Sequence, residues 1–311
     1  MENSKTHNYY FKEKDGLPVL WTQGFIAFIC LNVFIFLGFD VLLPTLTLYL
    51  ESHGHSRDAI GRIFSFFMIA AIFMRIIAPK LVLIVRPFTL VRLGLFISSL
   101  AVASYYFAHS AGAASAARFF HGLGFGITST ILTALAAQTI PSSKMAQGMG
   151  FLGLGTILTL ALGPSFGIWL KDSLGYYAMF LTVAGVYLGG LLWTMKMPAI
   201  KLESSNANRG KPKFVLISRK ALIPSILLFL TGISISSMTI YLPLYFNEKG
   251  LSYSGLFFGL ATTGIVFARL FSGRIHDRYG HKFTITPALI CMFFANFLVT
   301  MIGGPVSLFI T

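Results

Sequence analysis

Residues 273–282 read "GRIHDRYGHK", Gly273 to Lys282, a charged island between the apolar runs "SGLFFGLATTGIVFARLF" and "FTITPALICMFFANFLVTMI". Charged residues make up only 11% of the 311-residue chain, where a soluble domain carries roughly a quarter. Crowding so many ionisable groups into one short gap therefore calls for a reason. So does Asp277, one of only ten acids in the chain, set among basic neighbours.

The surroundings supply the frame. The chain is 55% hydrophobic, holds 31 Phe and 30 Gly, and has a mean hydropathy of +0.76. Apolar runs of about 20 residues recur, each long enough to cross a ~30 Å hydrocarbon core as a helix. Nine candidate spans lie at 21–50, 57–78, 88–108, 111–139, 145–170, 174–196, 221–246, 253–272 and 283–302. The chain reads as an all-α, multi-pass membrane protein held in a lipid bilayer.

The net charge of +14 does not indicate nucleic acid, because the basic residues sit in the gaps between apolar runs instead of along one solvated face. The polar start "MENSKTHNYYFKEKDG" precedes an apolar run too long for a signal-peptide core, so it reads as a cytoplasmic tail before a retained helix. With that start inside, the inner segments hold seventeen Lys and Arg and the outer ones three, Arg57, Lys171 and Lys249. The bias sets the expected orientation, with the N-terminus in the cytoplasm.

Cys30 and Cys291 both fall inside apolar runs, and no disulfide framework or metal site is indicated. His53, His55 and His109 lie near outer surfaces, but "HGH" is too short and lacks further ligands. No phosphate-binding loop, nucleophile elbow or Cys/His ligand set is present, so neither an enzyme nor a cofactor is expected.

The polar stretch "KMPAIKLESSNANRGKPKFVLISRK" reads as a flexible basic linker. The expected division is a six-helix N-terminal bundle over 1–196, a cytoplasmic linker over 197–220 and a partial C-terminal bundle over 221–311. "LYLESHGHS" (48–56) is similar to "LYFNEKGLS" (244–252), and "GRIFSFFMIAAIFMR" (61–75) aligns with "GLFFGLATTGIVFAR" (255–269). Spans one to three thus recur as spans seven to nine, as in transporters built from parallel repeats.

Three motifs together resemble the major facilitator superfamily. "GRIHDRYGHK" resembles that family's motif A through Gly273, Asp277, Arg278, Gly280 and Lys282, with His281 where Arg or Lys is usual. Glycines permit close approach and turning, and Asp277 can accept charge-assisted hydrogen bonds. The resemblance implies a cytoplasmic gating latch that also takes in Arg269 and Arg274. A plain topology-anchoring loop explains the basic residues but not the acid. The first-half counterpart "RIIAPKLVLIVRPF" (75–88) has no acid, so a matching latch is not expected there.

"RFFHGLGFG" (118–126) resembles motif B through Arg118, Gly122 and Gly124, with His121 where Gln is usual. Arg118 lies roughly 10 Å from the outer end of its span, where a guanidinium needs a partner or must snorkel. The resemblance implies proton coupling or substrate binding. His121 could titrate or simply make an interhelical hydrogen bond. "GLGTILTLALGPSFG" (153–167) resembles motif C, the antiporter motif, through Gly155, Gly163, Pro164 and Gly167. Small residues there allow close helix packing and Pro164 bends the helix, while the resemblance adds export in exchange for protons.

Asp40, in "LGFDVLLP", is the one acid deep inside any expected span, roughly 15 Å from its outer end. It is either a proton carrier, neutral or paired with a cation, or a structural acid at a helix break near Pro44.

The implied fold is that of the superfamily: the N-terminal six-helix bundle plus about three helices of an incomplete C-terminal bundle. The implied activity is proton-coupled efflux of a small organic molecule or drug by alternating access, by a monomer in the cell membrane. Uptake by symport is the alternative, and so is a non-transporting remnant. The family has twelve helices and this chain ends in "GGPVSLFIT", the expected start of a tenth. The chain therefore reads as a fragment or as a truncated reading frame, expected to transport poorly alone.

Overall fold

The computed structural model describes residues 13–14, 17–198, 221–233 and 254–299. Residues 199–220 of the expected linker, the second half of the seventh span (234–246), the "LYFNEKGLS" repeat segment and "GGPVSLFIT" lie outside them. The chain divides into two compact units, Met1–Gly210 and Lys211–Thr311, the division falling within the expected linker.

In the first unit a two-residue pair of strands, β1 (Glu13–Lys14) and β2 (Leu17–Pro18), precedes the helices. Helix α1 spans Gln23–Ser52, α2 Arg57–Leu81, α3 Pro87–Ser104 and α4 Ala111–Thr139. A 3-10 turn, Tyr105–Phe107, joins α3 to the loop before α4. One further helical segment runs over Met145–Lys196 but is interrupted at Gly175, whose φ of 80° no helix accommodates. Its halves, α5 (145–174) and α6 (176–196), are separate spans, since 52 helical residues would extend about 78 Å. The first unit thus carries the six expected helices, and glycine stands where the chain must reverse through a left-handed conformation.

The helix starts follow local chemistry. Thr22, Ser56 and Ser110 each accept from the backbone N–H three residues on, at 3.2, 3.3 and 3.2 Å, filling N-cap positions. Pro87 opens α3, where its missing N–H costs nothing. Pro44 lies inside α1, which continues unbroken. Asp40 therefore caps no helix break. Instead, Pro44 leaves the Asp40 carbonyl without its usual i+4 donor.

Packing is layered. α4 lies against both α2 and α3, α1 lies against the α5–α6 segment, and α3 also meets α6. Glycines on α4 alternate in the side they serve. A Cβ on Gly126 would stand 2.8 Å from the Ala71 carbonyl of α2, and one on Gly124 would stand 2.5 Å from the Gly94 carbonyl of α3. Both helix pairs approach at backbone distance, as small residues allow inside a bilayer. Four aromatic rings, Phe36 and Phe39 of α1, Phe67 of α2 and Phe125 of α4, meet at centroid distances of 5.0 to 5.3 Å. Thr128, Ser129, Thr130 and Thr133 each return their hydroxyl proton to a carbonyl four residues back. In hydrocarbon a hydroxyl left without such a partner is costly.

The outside of the unit is as apolar as its interior. Met68, Ile69, Ile72 and Phe73 of α2 are all more than half exposed, a face suited to lipid and costly in water. Counting α5 and α6 as one, five helices of the described residues are long and apolar enough to span a membrane. This is an all-α membrane protein.

In the second unit, residues 221–233 form α7, Ser254–Tyr279 form α8 and Lys282–Val299 form α9. α8 and α9 form a helical hairpin. The charged island differs from the expected open gap, because residues 273–279 are the last two turns of α8. Nothing in them stops a helix, and Arg278 suits the negative helix terminus. The chain turns at Gly280, whose φ is 82° and whose N–H donates to the His276 carbonyl at 2.8 Å. Of the two motif glycines only Gly280 turns the chain, while Gly273 sits buried inside the helix.

Candidate functional site

Among its described residues the first unit holds one fully buried guanidinium. Arg118, in the third turn of α4, has no exposed surface, and none of its three nitrogens has a hydrogen-bond partner. Its Cζ stands 3.9 Å from the centre of the Phe64 ring of α2, 5.4 Å from that of Phe67 and 5.8 Å from that of Tyr105. The Tyr105 hydroxyl lies near enough to act on it as an acceptor, outside good hydrogen-bond geometry, and Tyr187 acts on it electrostatically. A desolvated cation–π contact contributes about 2 kcal/mol, whereas burying an ion costs several kcal/mol. Side-chain dipoles and ring faces do not balance this charge. Arg118 does not snorkel.

One turn along α4, His121 is equally buried and has both ring nitrogens engaged. The Tyr105 hydroxyl lies 3.1 Å from Nδ1 and the Tyr187 hydroxyl of α6 lies 3.0 Å from Nε2. Tyr187 also donates to the Ile35 carbonyl of α1 at 3.2 Å. Gly38 makes room for that tyrosine, since a Cβ there would stand 2.6 Å from Tyr187 Cζ. His121 therefore joins the 3-10 turn after α3, α4, α6 and, through Tyr187, α1 at the level of Arg118.

Asp40 sits on the α1–α5 seam and is 2% exposed. Gly163 and Gly167 of α5 face it and the next turn of α1. A Cβ on Gly163 would stand 2.8 Å from Asp40 Cβ, and one on Gly167 would stand 2.7 Å from the Val41 carbonyl. Gly155 lies further along the same seam, near Val33 and Asn32. The buried Asn32 amide donates to the Leu152 carbonyl and to Thr156 Oγ1, both at 3.0 Å. Thr159 lies within hydrogen-bonding reach of the Asp40 carboxyl, while Asp40 Oδ2 has no partner. The Thr159 hydroxyl donates to the Thr156 carbonyl at 2.8 Å. In that setting it can accept a proton from a neutral acid, and by rotating it could donate to a carboxylate.

Asp40 and Arg118 do not form an ion pair, although a cation partner for Asp40 was one of the readings open from the sequence. Tyr187 lies between the two groups electrostatically, within the influence of both. The motif B and motif C residues thus converge on α1, Arg118 and His121 through Tyr187, and the glycines by direct packing. Pro164 is half-buried beside Gly163.

In the second unit Arg269, Arg274, Arg278 and Lys282 are exposed and Asp277 is partly buried. Arg278 lies 5.3 Å from the Tyr279 ring centre, and His276 Nδ1 lies 2.9 Å from Thr284 Oγ1 of α9. Among the described residues no group of three or more His, Cys, Asp or Glu side chains could hold a metal ion.

Sequence reasoning missed Tyr105, Tyr187, Thr159 and Phe64. Tyr105, Tyr187 and Phe64 lie in no motif, Thr159 lies within the motif C stretch but is not one of its defining residues, and none of the four carries a formal charge. The one available hint was Gly38, two residues before Asp40, which marks a close approach without naming what approaches.

The family model described as Major Facilitator Superfamily matches residues 28–311. The staphylopine export protein of Staphylococcus aureus is 23% identical over 301 residues, covering 93% of this chain and 72% of that protein. An uncharacterized MFS-type transporter of Methanocaldococcus jannaschii is 22% identical over 301 residues, covering 91% and 74%. Among solved structures, that of the human organic anion transporter MFSD10 (TETRAN) is similar, with a TM-score of 0.58 and 18% identity. It covers 82% of this chain and 71% of its own, a likeness of fold.

Proposed function

Because this chain belongs to the Major Facilitator Superfamily of transporters, we propose that it exports a small organic molecule in exchange for protons, by alternating access. What carries the reading is the pairing of a buried acid and a buried guanidinium that do not neutralise each other, on helices joined by close packing and one hydrogen-bonded relay. An acid with one free oxygen and a neighbour able to serve either protonation state suits a site that is loaded and unloaded. Asp40 takes the proton, and Arg118 senses it and the substrate through changes in the local field. Export is favoured over uptake by the glycine pattern of α5 and by the exporter among the relatives. The protein works as a monomer in the cell membrane, its N-terminus in the cytoplasm, with residues 269–282 at the cytoplasmic ends of α8 and α9 acting as a gating latch.

The test is flux in proteoliposomes with an imposed pH gradient, using staphylopine and the dye ethidium as separate probes. Asp40→Asn is expected to lose gradient-driven accumulation while keeping gradient-free counterflow, since neutral Asn mimics the proton-loaded acid. Full proton-driven flux in Asp40→Asn would remove Asp40 from the coupling mechanism.

A further inference from the structure

We propose that Tyr105 and Tyr187 are positioning residues that hold His121 in its neutral Nε2–H tautomer. His121 then serves as a fixed strut beside Arg118 and carries no proton during transport. The proposal rests on the reading of the chain as a transporter and narrows where its proton resides.

The direction of the relay is set from both ends. The Ile35 carbonyl can only accept, so the single Tyr187 hydroxyl proton goes to it at 3.2 Å. The Tyr187 oxygen must then accept in its second bond, so His121 Nε2 donates to it at 3.0 Å. A neutral ring with its proton on Nε2 has a lone pair on Nδ1, which takes the Tyr105 hydroxyl proton at 3.1 Å. At the other end, Arg118 offers only donors, so it favours a Tyr105 oxygen that presents lone pairs and has sent its own proton elsewhere. The reversed relay would leave the Ile35 bond unmade and turn the Tyr105 proton toward a guanidinium. Both ends select the same tautomer.

A second proton on the ring has no place to go. On Nδ1 it would meet the Tyr105 proton and add positive charge beside Arg118, whose influence on the ring is repulsive. The groups facing His121 are Arg118 of its own helix, Tyr105 of the 3-10 turn, Tyr187 of α6 and the uncharged Phe67 of α2, edge-on at 5.1 Å. Asp40 of α1 reaches it only through Tyr187. Among the described residues no acid contacts the ring. The Tyr187 proton ends on a backbone carbonyl, so the relay does not deliver a proton to Asp40. An amide can make the same two bonds, accepting through its oxygen and donating through its nitrogen, so His121→Gln is the conservative replacement.

The decisive measurement needs no substrate. In the full chain, labelled with 15N-histidine in lipid nanodiscs at pH 7, the His121 resonances are assigned by their loss in His121→Gln. The expected spectrum shows Nε2 protonated and Nδ1 as a hydrogen-bond acceptor. Tyr105→Phe should shift the Nδ1 resonance, and Tyr187→Phe should release the tautomer preference. A ring protonated on Nδ1, alone or together with Nε2, would overturn the proposal. In flux with the ethidium and staphylopine probes, His121→Gln should keep pH-gradient-driven transport within about threefold. His121→Leu should lose about tenfold, the order of one or two buried hydrogen bonds. Gradient-driven transport lost in His121→Gln with counterflow intact would make His121 a proton carrier and also overturn it. Wild-type protein that transports without using the pH gradient would instead sink the coupling reading and leave the tautomer result standing.

Discussion

Gly163→Ala probes the α1–α5 seam with a single methyl group. That methyl would stand 2.8 Å from Asp40 Cβ, 3.3 Å from the Asp40 carbonyl carbon and 3.3 Å from the Val41 nitrogen. None of these is the free end of a flexible side chain, so α1 must move away by several tenths of an ångström. Overpacking of this kind costs about 1–3 kcal/mol. Alanine also favours a helix over glycine by about 1 kcal/mol, which partly offsets it. Gly189→Ala on α6 supplies the reference, because nothing lies within 4 Å of its Cβ position and only the propensity gain remains. The two variants should therefore differ by about 1–3 kcal/mol, Gly189→Ala being the more stable. Equilibrium unfolding in mixed micelles, followed by circular dichroism, measures the difference directly. Because the displaced backbone is that of Asp40 itself, proton-driven flux should fall in Gly163→Ala and not in Gly189→Ala. Equal stability of the two variants would refute close packing of α5 on α1 at Asp40.

Other substitutions test other joints. Gly175→Ala puts a side chain at a φ of 80° and should cost about 1–2 kcal/mol, read as a lower unfolding midpoint; an unchanged midpoint would mean that α5 and α6 do not reverse there. Arg118→Lys replaces a delocalised cation lying over Phe64 at 3.9 Å with a compact, strongly hydrated one. It should lower gradient-driven flux about tenfold or more, with expression and melting little changed. Asn32→Ala removes both amide bonds to α5 and should destabilise by about 0.6–1.7 kcal/mol, checked in the same micelle titration. Gly280→Ala, at a φ of 82°, should loosen the α8–α9 turn by about 1 kcal/mol, visible as faster hydrogen exchange at residues 276–282.

Much of this was legible in the amino-acid order because a bilayer makes secondary structure a local matter. Each spanning helix satisfies its own backbone, so apolar length announces it, and the six helices of the first unit lie where the apolar runs place them. Membership of the superfamily was legible for a similar reason, since "GRIHDRYGHK", "RFFHGLGFG" and "GLGTILTLALGPSFG" are contiguous stretches. Even there the local reading overshot, taking 273–279 for an open gap when nothing in those residues ends a helix before Gly280.

The candidate site was legible only as isolated residues. Asp40, Arg118 and His121 stand out because ionisable groups are costly in hydrocarbon, and that cost can be read one residue at a time. Their partners cannot. Tyr187 lies 66 positions from His121 and 152 from Ile35, and no periodicity links them. Whether Asp40 meets Arg118, a threonine or a glycine face depends on how the helices rotate and approach. Lipid is as apolar as leucine and does not dictate that choice. Contacts between small residues at backbone distance do, as at Gly163 against Asp40 and Gly38 against Tyr187, and those contacts exist only once the helices have packed.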